Sequence, residues 1–142
     1  MATIWVIYHS DTGNTHALAK LVGEGAESGG AEVKVVSAGE LDLAEVARAD
    51  GLAIGSPDYF SYVAGSIKTF FDNILYDERF KGKPFVGFGT HGGGGKVLGV
   101  LEGLAGKCGL KKVADGVLTK DAPTDENAGQ ARDLGKALAK AV

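Results

Sequence analysis

The chain has 142 residues, 44% of them hydrophobic, which is sufficient for one domain with a buried core. A formal net charge of −3 gives no basic surface for nucleic acid, one cysteine excludes an internal disulfide, and no apolar run is long enough for a membrane span. The first ten residues carry neither a basic segment nor a cleavage site of a secretion signal, so we expect a cytoplasmic protein with one domain over residues 1–142.

The hydrophobic pattern predicts five strands, each followed by a helix. The strands are predicted at residues 3–9, 32–37, 51–55, 84–90 and 112–119. The helices are predicted at residues 15–28, in a short segment after Asp42, and at residues 64–76, 96–108 and 124–141. This alternation is typical of an α/β fold, in which helices cover both faces of a parallel sheet. Two strand orders are common for five strands, and the order 2-1-3-4-5 has its ligand crevice between the carboxyl ends of strands one and three.

A hydroxyl-rich turn, Ser10-Asp11-Thr12-Gly13-Asn14-Thr15, joins the first strand to the first helix and is called the first loop. Such a turn presents backbone N–H groups at a helix N-terminus, and its hydroxyl groups add further donors for an anion. None of its side chains is basic, so dipoles and hydrogen bonds would hold a phosphate that is bound but not transferred. The alternative is an ordinary N-capped turn without a ligand.

Two more loops follow the third and fourth strands at the same edge of the sheet. The second loop, residues 56–62, contains Tyr59, Phe60 and Tyr62, and exposed aromatic rings at a crevice stack on flat ligands or anchor partners. The third loop, residues 90–95, places His91 before four glycines, which cannot hold it away from the crevice. We expect Cys108 to be a buried core thiol, His9 to have a structural role, and His16 to face solvent.

The first loop resembles the T/S-x-T-G-x-T phosphate loop of the flavodoxin family at every fixed position. Residues 55–60 and 65–72 are similar to the second flavin loop and following helix of the wider flavodoxin-like family. The run Thr90-His91-Gly92-Gly93-Gly94 is similar to the third flavin loop of its quinone-reductase branch. The resemblance covers essentially the whole chain. It implies a single-domain, three-layer, doubly wound parallel sheet of five strands in the order 2-1-3-4-5.

The same resemblance implies FMN, held without a covalent bond. Its phosphate would lie on Ser10, Thr12, Asn14, Thr15 and the helix N–H groups, and its isoalloxazine ring between the second and third loops. The implied cofactor-binding residues are Ser10, Asp11, Thr12, Gly13, Asn14, Thr15, Ser56, Pro57, Asp58, Tyr59, Phe60, Thr90, His91, Gly92, Gly93 and Gly94. No catalytic residue and no metal ligand is predicted.

Several departures from the family pattern leave the activity open. Typical flavodoxins carry a Trp in the second loop and a Tyr in an acidic third loop, whereas the single Trp here is Trp5, in the first strand. The chain also lacks the insertions of the quinone-reductase branch. We therefore predict an electron carrier between two redox partner proteins, a reductase and an acceptor. The alternatives are an NAD(P)H-dependent quinone reductase, which would use a nicotinamide and a quinone, and a flavin-free interaction domain.

Two other classes of protein fit the sequence less well. A receiver domain needs an acidic residue at the end of the third strand, where this chain has Gly55-Ser56. A P-loop needs Ser or Thr after Gly95-Lys96, where this chain has Val97.

Overall fold

The computed structural model describes all residues, 1–142, and alternates strands with helices. The strands are β1 (Thr3–Tyr8), β2 (Glu32–Ser37), β3 (Gly51–Pro57), β4 (Pro84–His91), β5 (Lys111–Lys112) and β6 (Val117–Lys120). The helices are α1 (Asn14–Ser28), α2 (Leu43–Ala47), α3 (Gly65–Ile74), α4 (Val97–Lys107) and α5 (Asp125–Ala141). Short 3-10 helices occupy Ala38–Glu40 and Glu78–Phe80. None of the helices combines the length and the apolar character that a membrane span requires.

The sheet is parallel throughout, in the order β2-β1-β3-β4-β5, with β6 also paired to β4. The predicted doubly wound α/β fold and the 2-1-3-4-5 order are therefore confirmed. At the carboxyl edge Tyr8 of β1 lies beside Gly55 of β3, and Pro57 of β3 lies beside Thr90 of β4. The three loops that the sequence singles out therefore meet at one edge of the sheet.

The prediction of one continuous fifth strand at residues 112–119 is wrong. Lys112 of β5 pairs with Phe85, and Val117 of β6 pairs with Phe88, so the four residues 113–116 lie opposite only two residues of β4 and the regular pairing is interrupted there. Gly116 allows the chain to return to β4 after this bulge, because a Cβ atom there would lie 2.4 Å from the carbonyl oxygen of Gly87. The two short strands together occupy the predicted fifth position in the sheet.

Apolar side chains fill both faces of the sheet. One cluster of 18 buried residues lies under α2, α3 and α4, and another of 13 lies under α1 and α5. Trp5 and Cys108 belong to the first cluster, as predicted, and the Cys108 thiol donates to the carbonyl of Phe71 at 3.4 Å. Burial raises the pKa of this thiol, which keeps it in the protonated form.

Glycines allow α1 and α5 to cross at short distance on one face. A Cβ atom at Gly25 would lie 1.9 Å from the carbonyl oxygen of Arg132, and one at Gly135 would lie 2.0 Å from that of Val22. Each helix thus packs against the bare backbone of the other. Part of the high glycine content, 23 residues, is explained by this contact.

Candidate functional site

The start of α1 has no side-chain cap, although polar residues surround it. Gly13 precedes the helix at φ 98°, a left-handed conformation that favours glycine, and its N–H donates to the Ser10 hydroxyl at 3.0 Å. The next three N–H groups, those of residues 14–16, have no acceptor within the chain. By contrast, Asp42 caps α2 and Thr124 caps α5, as their sequences predict. The open N–H groups of α1 therefore make a preformed anion site.

Buried hydroxyl groups lie at the end of β4, near the first loop. Thr15 Oγ1 is hydrogen-bonded to Thr90 Oγ1 at 2.7 Å, a contact between residues 75 positions apart. Thr119 lies beside Thr90 in the sheet register, and its buried Oγ1 has no partner. In the first turn of α1, His16 stacks on Tyr8, with ring centroids 4.7 Å apart. His16 remains partly exposed, so only one side of the ring that we expect to face solvent is covered. These contacts fix the start of α1 against β1 and β4.

The second loop is a tight hairpin. The backbones of Tyr59 and Tyr62 exchange two hydrogen bonds, of 2.9 and 3.0 Å, around Phe60 and Ser61. Both central residues have positive φ, 56° and 65°, which is the geometry of a type I′ turn and normally favours Asn-Gly. The Phe60 ring is fully exposed at the tip. The loop therefore holds a bulky aromatic residue in solvent in a strained backbone conformation.

A chain of polar side chains connects the second loop to the first. The Tyr59 hydroxyl donates to Asp11, His9 Nε2 lies 3.2 Å from Asp11 Oδ2, and His9 Nδ1 lies 2.7 Å from Ser66 Oγ. Burial and the bond to Asp11 raise the pKa of Tyr59 to about 12. The bonds from Tyr59 and His9 lower the pKa of Asp11. At neutral pH Tyr59 is thus a protonated donor to a charged carboxylate.

The Asp58 side chain is fully engaged with the chain itself. Its Oδ1 accepts from the Ser61 N–H at 2.8 Å, and its Oδ2 accepts from the Lys96 and Val97 N–H groups at 3.0 and 3.1 Å. The neighbouring Ser56 hydroxyl donates to the Pro57 carbonyl at 2.8 Å and accepts from the Ala64 N–H at 2.9 Å. In this structure both side chains therefore shape the second loop.

The third loop forms one side of the site and presents bare glycine backbone to it. Gly92 and Gly93 have nothing within 4 Å of an added Cβ atom, and His91 Nδ1 is buried without a hydrogen-bond partner. Asp121, at φ 58°, donates its N–H to the His91 carbonyl at 2.8 Å. The segment after β6 thus joins the site, which sequence reasoning did not foresee.

A cavity of about 240 Å³ lies where the loops meet. Its walls are formed by Thr12, Asn14, Pro57, Asp58, Tyr59, Thr90, His91, Gly92 and Asp121. We call it the crevice. The other predicted residues of the three loops lie around this wall without forming it. A hollow of about 320 Å³ beside Trp5 and Lys34 lies near the start of β1 and β2, away from the three loops.

Comparisons with known proteins agree with this geometry. The flavodoxin family model matches residues 6–135. A flavodoxin of Aquifex aeolicus is 42% identical over 98 residues, which are 67% of this chain and 53% of that protein. An NAD(P)H dehydrogenase (quinone) of Archaeoglobus fulgidus is 36% identical over 111 residues, and the match covers 58% of each chain. A solved structure of a flavodoxin from the domain Archaea has a TM-score of 0.92 at 27% identity, covering 98% of this chain and 97% of that one.

The fold and the crevice thus define a flavin-binding α/β protein, and the chain belongs to the flavodoxin family. It spans somewhat more than half the length of the first two relatives, 53% and 58%. FMN is the cofactor of this family. The site fits that cofactor, because three unclaimed N–H groups and the loop hydroxyls match one phosphate group.

The donor set also distinguishes FMN from a dinucleotide flavin. The first loop contains no Lys or Arg, so nothing basic in it would hold a second phosphate. The start of α4, which follows the third loop, already receives the Asp58 carboxylate. The first loop therefore offers one anion position, at the start of α1, and FMN has one phosphate.

Proposed function

We propose that this chain binds FMN in the crevice and carries electrons between redox partner proteins, a reductase and an acceptor, in the cytoplasm. The observation that supports this most is the uncapped start of α1 beside a crevice formed by three loops. When bound, FMN supplies redox chemistry in steps of one or two electrons. The protein's own task is to hold it, orient it and limit the access of water.

The N–H groups of Asn14, Thr15 and His16 would donate to the phosphate oxygens. The exposed Thr12 hydroxyl adds a donor at the rim, and Ser10 keeps the loop closed by accepting from Gly13. Thr15 can donate to the phosphate while accepting from Thr90, since a hydroxyl has one proton and two lone pairs. The site would hold a charged group without a basic side chain, by hydrogen bonds and the dipole of α1.

The isoalloxazine ring would lie between the second and third loops. Coverage of one ring face by Tyr59 or Phe60 stays a prediction. In the structure Tyr59 is bonded to Asp11, and Phe60 extends into solvent, so stacking requires one of them to turn inward.

A second candidate function is NAD(P)H-dependent quinone reduction. Relatives from Archaeoglobus fulgidus and Sinorhizobium fredii carry the name NAD(P)H dehydrogenase (quinone). The bare Gly92-Gly93 wall supports this candidate, because it leaves room beside the crevice for a second flat ligand.

Two measurements test the proposal. Purified protein should be yellow, and mass measurement of the extracted cofactor should give FMN; recovery of mainly FAD would contradict the site assignment. Protein reduced by a nicotinamide-dependent reductase should pass electrons to cytochrome c, while NADPH and a soluble quinone without that reductase should give no turnover. Rapid NADPH oxidation by the chain alone would favour the reductase.

A further inference from the structure

We infer that Asp58 is a positioning residue, whose carboxylate holds the second and third loops at a fixed separation, so that the gap between them is preformed for the flavin ring. The inference rests on the proposed function for the identity of the ring. The link between the two loops stands on contacts within the chain.

The carboxylate of Asp58 joins two segments that are far apart in sequence. One oxygen accepts from Ser61, inside the second loop, and the other accepts from Lys96 and Val97, at the end of the third loop and the start of α4. The backbone N–H of Asp58 also donates to the Thr90 carbonyl at 2.8 Å, where the third loop leaves β4. Both ends of the third loop are thus bonded to this one residue.

The third loop also runs close to the carboxylate. A Cβ atom at Gly94 would lie 3.3 Å from Asp58 Oδ2, so a larger residue there would press on the carboxylate. Gly92 and Gly93 make no comparable contact. Four consecutive glycines would otherwise leave this loop with a large choice of conformations.

The negative charge of Asp58 strengthens the hydrogen bonds that join the second and third loops. Asp58 places a carboxylate on the first-turn N–H groups of α4, which are the positive end of that helix dipole. Hydrogen bonds to an ionised acceptor are stronger than bonds between neutral groups. The same carboxylate orders the hairpin around Phe60 through Ser61, so a flavin ring entering the gap would meet two walls that are already ordered.

Flavin binding to Asp58→Ala, Asp58→Asn and Asp42→Ala tests the inference. Asp42 is the matched control, because it also accepts a helix N–H, that of Ala44, but lies outside the crevice. In Asp58→Ala the dissociation constants of FMN and riboflavin should both rise about tenfold, since loop ordering affects the ring that the two ligands share. Asp42→Ala should change neither constant.

Comparing the loss of FMN affinity with the loss of riboflavin affinity in Asp58→Ala distinguishes a positioning role from phosphate binding. A loss confined to FMN, or unchanged affinity for both ligands, would overturn the inference. Asp58→Asn keeps one acceptor oxygen and should bind both flavins more tightly than Asp58→Ala; an Asn variant no better than the Ala variant would contradict the hydrogen-bonding role. The visible circular dichroism of the bound flavin should change in Asp58→Ala and not in Asp42→Ala.

Hydrogen exchange in the flavin-free protein tests the link without the cofactor. In Asp58→Ala the N–H groups of Ser61, Lys96 and Val97 should all exchange faster, together with those of Tyr59 and Tyr62. Faster exchange in only one of the two loops would overturn the inference. If the unaltered protein failed to bind FMN, the proposed function would fall, while this exchange pattern would still show whether Asp58 joins the loops.

Discussion

The first turns of α1 and α4, the helices that follow the first and third loops, are used in different ways. At the start of α1 the N–H groups of residues 14–16 have no acceptor, and Gly13 supplies the left-handed residue that aims them outward. At the start of α4 the N–H groups of Lys96 and Val97 donate to the Asp58 carboxylate. A helix N-terminus is therefore a phosphate site only where the fold leaves its N–H groups unclaimed. In this protein the Asp58 carboxylate occupies the position at the start of α4 that a phosphate group would otherwise take.

Phosphate recognition at α1 gives the largest expected effect. Thr12→Val should weaken FMN binding on the order of ten- to a hundredfold, because a phosphate oxygen loses a partner worth roughly 1–3 kcal/mol. Riboflavin, which has no phosphate, should bind as before. Thr12 is exposed, so the variant should keep its stability, and parallel fluorescence titrations with both ligands measure the difference. Equal losses for the two ligands would place the phosphate away from α1.

Replacing a glycine by alanine should lower the free energy of unfolding more in the first loop than in the third loop. Gly13→Ala forces an L-residue to φ 98° with nothing within 4 Å of its Cβ, so we expect a loss of roughly 1–2 kcal/mol in the free energy of unfolding. Gly93→Ala is the matched control, because its Cβ also meets open space but its φ lies outside the left-handed region. Urea unfolding of both variants provides the comparison. Similar losses in the two variants would show that conformation is not the cause.

A single substitution in the hairpin of the second loop should increase the stability of the protein. Ser61→Gly replaces a residue at φ 65° by the one that a type I′ turn prefers, and should raise the free energy of unfolding by about 1 kcal/mol. Ser61→Ala keeps the strain and should leave stability nearly unchanged. A destabilised Gly variant would mean that the hairpin is not formed as described.

The smallest expected effect concerns the link between Tyr59 and Asp11. Asp11→Asn should lower the pKa of Tyr59 from about 12 towards its ordinary value without reaching it, because burial is the larger cause of the shift. The ultraviolet absorbance of tyrosinate, followed against pH in the variant and in a Glu27→Gln surface control, measures this change. Since the folded-state pKa is raised, the contribution of Tyr59 to stability is complete below pH 10 and should be lost as the pH rises towards about 12. An unchanged tyrosine titration in Asp11→Asn would contradict the hydrogen bond.

Local patterns carry most of what the sequence predicts. The alternation of apolar strands and amphipathic helices is enough for the fold, and the caps at Asp42 and Thr124 follow from side-chain chemistry within a few residues. The first loop is equally local, since its hydroxyls, its glycine and the helix start are consecutive. The alternative that its polar residues left open was an ordinary cap, and the structure shows that none of them caps α1.

The remaining features depend on contacts between distant residues. No pattern within residues 56–62 indicates that Asp58 will meet N–H groups 38 and 39 positions later. The Phe60-Ser61 turn runs against turn preferences, and Thr119 and Asp121 enter the site region through the register of β6. The interruption at residues 113–116 is not evident in the sequence, because Val113 and Ala114 within it continue the apolar pattern of the strand that resumes at Val117. Tertiary packing decides such positions, and local preference does not.

Amide chemical shifts offer the most direct test of the claim that α1, and not α4, receives the phosphate of FMN. The labelled, flavin-free protein would be titrated with FMN and, separately, with riboflavin, and the N–H signals of both helix starts followed. The account predicts that the signals of Asn14, Thr15 and His16 shift with FMN but only slightly with riboflavin, while Lys96 and Val97 respond alike to the two ligands. A shift specific to FMN at Lys96 and Val97, or none at residues 14–16, would contradict it.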